Sequence, residues 1–330
     1  MREFRRIIKG EENFICMVWC EDSVEEITPF LSQYLMKKEK EIKQQISLPA
    51  NIIFSYKKDK EIFAAVVGYE IEEEPSLFYH NLSVYKSLGE HLQRKIYSEF
   101  IEFLKKKGIR TIAGNILFLN LEKAIYFDNF SVFERCCMKL ERDVYNNYTK
   151  KFLSENMKEE VKNKEKEMDM KIVQIKEFKV KKLGEFDSLV YSSADFIDSI
   201  ALLAKNHPKF CTFVVQSITS GDFGKYNSKC SLAIKKNKKP IGLILCIDSK
   251  KKEGFIMDVG VHPHYQGKGL GKLLLSIVMK RYFDELKYDS IELAVSKTNQ
   301  RAKNIYEKLG FTTYSIFYEF NYEIENFNNE

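Results

Sequence analysis

Apolar and polar positions alternate along two long stretches of this chain, and both stretches show the same order of elements. In the first, Asn51 to Tyr56, Glu61 to Ile71 and Ser76 to Val84 read as strands, with a lysine-rich turn at Lys57 to Lys60. In the second, Ser228 to Ile234, Pro240 to Asp248 and Gly254 to Val261 repeat that order around the turn Lys235 to Lys239. The period then changes from two to 3.6. Leu92, Ile96, Phe100, Phe103 and Leu104 fall on one face of a helix, and so do Leu270, Leu273, Leu274, Ile277 and Leu286. The two series are displaced by about 178 residues, with Asp59 matching Asn237, Val84 matching Val261 and Asn120 matching Asn299. Further strands are predicted at Ile291 to Val295 and Thr312 to Glu323, the latter with Tyr314, Ile316, Tyr318, Phe320 and Tyr322 on one face. A helix containing Phe196, Ile197, Ile200 and Leu203 is predicted within Gly184 to Gln216.

The pattern predicts an α/β chain of two similar domains, 1–150 and 171–330. The stretch 151–170 between them is densely charged, lacks Gly and Pro, and has apolar points only at Met157, Val161 and Met168. It reads as an exposed helical or extended connector.

Composition narrows the function. The 330 residues are 44% apolar and 30% charged, enough for two ordinary cores and too balanced for disorder. No apolar run of membrane-spanning length and no signal peptide is evident, so the expectation is a cytoplasmic protein without a membrane partner. Seven scattered cysteines and five histidines form no metal-ligand spacing, which predicts no metal; His262 and His264 read as loop polarity. The net charge of +6 is modest, and its lysines sit at turns without interleaved aromatics, which argues against nucleic acid.

The candidate chemistry lies at 259–272. A short apolar strand ending Val259, Gly260, Val261 passes through His262 to Tyr265 into Gln266, Gly267, Lys268, Gly269, Leu270, Gly271 and Lys272. N–H groups at a helix start lack intrahelical partners, the helix dipole adds positive charge, and glycines let an anion approach the backbone. A phosphate-bearing ligand is implied. The spacing fits neither the dinucleotide pattern G-x-G-x-x-G nor the P-loop.

Gln-x-x-Gly-x-Gly after a strand resembles motif A of the GNAT acetyltransferase superfamily. Asn299, Ala302, Tyr306, Leu309, Gly310 and Phe311 resemble its motif B, so the chain looks like a tandem GNAT protein. The resemblance implies two mixed, mostly antiparallel twisted sheets flanked by helices, with acetyl-CoA as cofactor. Residues 266–272 would hold its pyrophosphate. Val259 and Val261 would pair through their backbone with the pantetheine arm, exposed where this strand splays from the next. Asn299 and Ala302 would border the same arm, and Asn299 would also cap its helix. Tyr306 would protonate the leaving sulfur.

A base must also take a proton from an amine that is mostly protonated at neutral pH. Asp258 and Glu292 are the candidates, and Ala294 stands where some family members carry a carboxylate. The acceptor is expected to be a primary amine of a small molecule or peptide, bound near 184–216. A non-catalytic acyl-CoA sensor on the same fold is the other reading. An aminoacyl-tRNA-using transferase is disfavoured by the intact glycine loop.

In the first half, Gly89, Glu90, Leu92 and Arg94 stand where the second has Gln266, Gly267, Gly269 and Gly271, and Phe127 stands for Tyr306. That half is expected to bind no coenzyme. The apolar face of the last strand predicts a contact with the other domain or with a second chain as a homodimer. The family's seventh strand is not evident, and exchange of strands between halves is one expectation.

Overall fold

The structure is a computed structural model that describes residues 18–35, 38–40, 51–58, 61–71, 77–85, 90–115, 130–153, 156–195, 198–250 and 252–324. Two compact units divide the chain. The first comprises Met1–Val132 with Tyr318–Glu330, and the second Phe133–Phe317.

In unit 1, β1 (Val18–Glu21), β2 (Asn51–Lys58), β3 (Glu61–Ile71), β4 (Leu77–Tyr85) and β5 (Thr111–Asn115) lie in that order. Pairing is antiparallel except between β4 and β5. Period-two alternation sends Ile53, Ala65 and Val67 to one face, under Ile27 and Leu31 of helix Val24–Leu35. Phe54, Ala64 and Val66 face the other way, against Phe100 and Leu104 of helix Glu90–Lys106. The last strand of this sheet comes from the far end of the chain. Glu319 to Glu323 pair antiparallel with Thr111 to Asn115, and Tyr322 stacks on Phe130 with ring centroids 4.4 Å apart. Gly89, Phe127, Asp59, Ser76 and Asn120 lie outside the described residues.

Unit 2 contains β6 (Phe130–Glu141, from Phe133 onward), β7 (Lys171–Gln174), β8 (Lys225–Tyr226), β9 (Leu232–Lys236), β10 (Lys239–Lys250), β11 (Glu253–Val261), β12 (Ser290–Ser296) and the first half of β13 (Thr312–Glu323). The central order is β6-β12-β11-β10-β9-β7. Leu232, Ile234, Ile244 and Cys246 pack with Leu270, Leu273, Leu274 and Ile277 of helix Leu270–Lys280. On the opposite face, Ala233, Leu243, Leu245 and Ile247 pack with Leu183 and Phe186 of helix Val180–Ser192 and Val215 and Ile218 of helix Pro208–Ser220. Each fully buried Leu, Ile or Phe contributes roughly 1.5–3 kcal/mol.

The unit boundaries differ from those expected at 151–170. Residues 135–141 of β6 pair antiparallel with 290–296 of β12, so a strand that precedes the charged stretch completes the second sheet. The stretch itself forms helix Met157–Met168, capped by the Asn156 side chain, and Met157, Val161 and Met168 pack on the unit 2 core. The chain therefore crosses from unit 1 at Val132 and returns at Tyr318, and each sheet takes a strand from beyond the repeat boundary.

The expected helix within 184–216 is the second of three that cover residues 180–220. Helix Val180–Ser192 comes first; Asp198 then caps helix Ser199–Asn206 through a 2.7 Å bond from the Ala201 N–H, and Pro208 starts the next. Ile200 and Leu203 lie in the second helix, while Phe196 and Ile197 lie outside the described residues.

Candidate functional site

β11 and β12 run parallel only from Glu253↔Ser290 to Ile256↔Leu293. Beyond that pair no ladder joins them among the described residues. The two strands open into a cleft of about 800 Å³ whose walls include Met257 to Val261 and Ala294 to Ser296.

A β-bulge helps to open it. Leu245 pairs with Asp258 and Cys246 with Ile256, which leaves Met257 as the extra residue. Gly260, a glycine inside the strand, is in regular register with Leu243. Its role is close approach. A Cβ there would lie 3.3 Å from Val190 Cγ1 and 3.7 Å from Asp187 Oδ1, so the glycine lets helix Val180–Ser192 sit against β11.

At one end of the cleft, Gly267 and Gly269 have φ of 77° and 79°, a left-handed conformation that disfavours a side chain. No atom lies within 4 Å of a Cβ built on either. Helix Leu270–Lys280 starts there with no side-chain cap, and among the described residues no N–H from Gly267 to Lys272 donates to a protein group. The dipole and the free donors make this end fit for a phosphate. Lys272 and Arg301 also line it. Lys268 is turned away, its Nζ 5.2 Å from the Tyr265 ring centre, and it is absent from the cleft lining.

Gln266 is occupied. Its Nε2 donates to the Val261 carbonyl at 3.1 Å, and its Oε1 accepts from Arg301 Nη1 at 3.0 Å, tying the loop to helix Gln300–Lys308. Asn299 caps that helix through a 3.1 Å bond from the Ala302 N–H, and both residues border the cleft. Thr149 donates to the Leu309 carbonyl at 2.8 Å and steadies the helix exit.

Tyr306, from the same helix, is 7% exposed and lines the cleft floor. Burial, then the nearby Asp258 carboxylate, pushes its phenol well above the usual range, with Arg135 opposing. The hydroxyl keeps its proton at any physiological pH.

The other end of the cleft is acidic and partly closed. Asp258 is 7% and Asp187 2% exposed. Tyr191 donates to Asp258 Oδ1 at 2.8 Å, while Asp258 Oδ2 and Asp187 Oδ1 are buried without a donor from any other residue. Burial raises both carboxyls. Asp187 is raised further by the negative charge of Asp258 and a hydrogen bond with it; for Asp258, bonds with Asp187, Tyr191 and Val259 and the Arg135 charge oppose the rise. Arg135 of β6 pairs with Asp198 at 3.3 Å, both nearly buried.

The structure brings Asp258, Tyr306, Asn299, Ala302, Val259, Val261 and the glycine loop to one cleft. Glu292 is elsewhere: its carboxylate accepts from Tyr314 Oη at 2.8 Å, lies 3.0 Å from Lys139 Nζ, and is outside the cleft lining. Sequence reasoning missed Asp187, Tyr191, Arg135, Asp198 and Arg301. Arg301 alone carried a local signal, since it stands between Asn299 and Ala302.

Residues 202–311 match the model of the acetyltransferase (GNAT) family. The chain is 34% identical over 85 residues to an uncharacterized N-acetyltransferase, ycf52, of Gracilaria tenuistipitata var. liui, covering 25% of this chain and 44% of that protein. It is 42% identical over 67 residues to the mycothiol acetyltransferase of Mycobacterium leprae, covering 19% and 22%. The chain thus spans less than half the length of these curated relatives. A tandem GNAT protein from the clavulanic acid biosynthesis pathway shares the fold over 94% of this chain and 99% of its own, with a TM-score of 0.59 at 10% identity. No helix among the described residues is long and apolar enough to cross a membrane, and none of their side chains cluster as a metal site.

Proposed function

We propose, from the premise that residues 202–311 belong to the acetyltransferase (GNAT) family within a chain of tandem GNAT fold, that unit 2 moves an acetyl group from acetyl-CoA to a primary amine. The observation that carries this reading is the run of free amides from Gly267 to Lys272 at the mouth of a cleft that ends at Tyr306 and Asp258. The cofactor supplies a thioester-activated acetyl group and a phosphate handle.

The chain's own residues do the rest. Amides 267–272, with Lys272 and Arg301, hold the phosphates, and the unpaired edge of β11 at Val259 and Val261 aligns the extended arm. Tyr306, protonated across the physiological range, is placed to give a proton to the departing sulfur. Asp258, raised by burial, is the base candidate left at the cleft once Glu292 is engaged by Lys139 and Tyr314. The acceptor is a primary amine of a small molecule or peptide, entering beside Tyr191 and Ser193 to Asp195. Unit 1 serves as a scaffold without a coenzyme site.

Thiol release from acetyl-CoA across a panel of primary amines tests the reading. Turnover with at least one amine supports it. Tight acetyl-CoA binding without turnover on any amine would identify a sensor instead.

A further inference from the structure

We propose that Asp187 and Asp258 share a single proton at the closed end of the cleft, and that the Tyr191 hydroxyl carries protons between the acceptor amine and this pair. The shared proton follows from geometry. Two carboxyl groups on facing elements, helix Val180–Ser192 and β11, are both more than nine-tenths buried; Asp187 Oδ1 approaches Gly260, two residues along β11 from Asp258, and each carboxyl has an oxygen for which no other residue supplies a donor. Two bare carboxylates so placed would each carry a desolvation cost and repel the other; one proton between them removes both penalties.

Among the described residues, the charged and titratable groups facing the pair fit a net charge of −1. Tyr191, on the same helix as Asp187, donates to Asp258 Oδ1. Arg135 from β6 is the nearby cation, and its charge is largely balanced by Asp198. Tyr306 approaches from helix Gln300–Lys308 and is neutral. The β10 neighbour of Asp258, Leu245, is apolar.

With Oδ1 taken by Tyr191 and Oδ2 buried, a proton reaches the Asp258 carboxylate through the phenol. The amine N–H proton passes to Tyr191 Oη as the phenol's own hydrogen passes to Asp258 Oδ1. The pair goes from one proton to two and from −1 to neutral, and Tyr191 ends unchanged. Direction and purpose of this relay rest on the acetyltransferase reading; the shared proton does not.

Difference infrared spectroscopy of the full chain, with no ligand added, tests the first half. A protonated-carboxyl band persists at neutral pH in the wild type and in Tyr191→Phe. It is lost in Asp187→Asn and in Asp258→Asn, each checked for a cooperative melt. A wild type without the band, or an Asp187→Asn protein that keeps it, overturns the shared proton. Thiol release from acetyl-CoA with spermidine, glucosamine and lysine amide tests the second half. Tyr191→Phe loses turnover by on the order of 10²-fold, and Asp187→Asn, which removes the bond that holds the Asp258 carboxyl down, moves the acid limb of kcat/KM to higher pH. Full turnover in Tyr191→Phe overturns the relay. A wild type that shows the band yet acetylates none of the three amines removes the relay together with the acetyltransferase reading, and leaves the shared proton standing.

Discussion

At the scale of single residues, the proposed reaction uses the cleft for two kinds of proton chemistry. Tyr306 is held neutral by burial and by a neighbouring carboxylate, so it is a donor at every working pH. Tyr306→Phe should lower turnover by on the order of 10²-fold while acetyl-CoA affinity, measured by calorimetry, stays unchanged. An equal loss of affinity would make the phenol a binding group. Asp187 also has a consequence for stability. Because its folded carboxyl is raised, the folded state favours its neutral form, and that contribution is fully present only below the ordinary carboxylate range. It is lost as pH rises towards the folded value. The melting temperature of Asp187→Asn should therefore fall less than that of the wild type between about pH 5 and about pH 8. Parallel curves for the two proteins would contradict the assignment.

At the scale of elements, what sequence made legible was local. The loop 266–272 and the Asn299 cap depend on residues within one turn of each other, and their backbone requirements are written directly in glycine and asparagine. Asn299→Ala should cost about 1 kcal/mol, read as a lowered thermal midpoint. The acidic end of the cleft was illegible. Asp187 and Tyr191 reach β11 because Gly260 lets a helix some 70 residues earlier in the chain lie close, and Arg135 arrives from a strand more than 100 residues away. No local pattern encodes those meetings. Glu292 illustrates the converse, since nothing in its own strand signals the Lys139 and Tyr314 contacts that engage it. Of the two things a glycine inside a strand can mark, Gly260 marks close approach, while the bulge is at Met257.

At the scale of the whole molecule, the repeat located the two similar halves but not where one compact unit ends. The charged stretch 151–170 marks a change in composition, whereas the units divide at Val132 and Phe317 because β6 completes the second sheet and residues 319–323 complete the first. A fragment beginning at residue 171 lacks β6, exposes the edge of β12 and loses Arg135 from the cleft. It should fail to give a cooperative melt by circular dichroism, whereas a fragment beginning at residue 133 and ending at 317 should retain one. A cooperative, coenzyme-binding 171–330 fragment would contradict this.

The repeat also bears on how many coenzymes are bound. In unit 1 the helix that matches the cradle helix begins at Glu90, and no residue from there to Arg94 is glycine. Isothermal titration of acetyl-CoA into the full chain tests the central claim most directly. One coenzyme per chain, with binding abolished by Gly269→Asp and the fold intact, is the predicted result. Two coenzymes per chain, no binding at all, or unchanged binding in Gly269→Asp would contradict it.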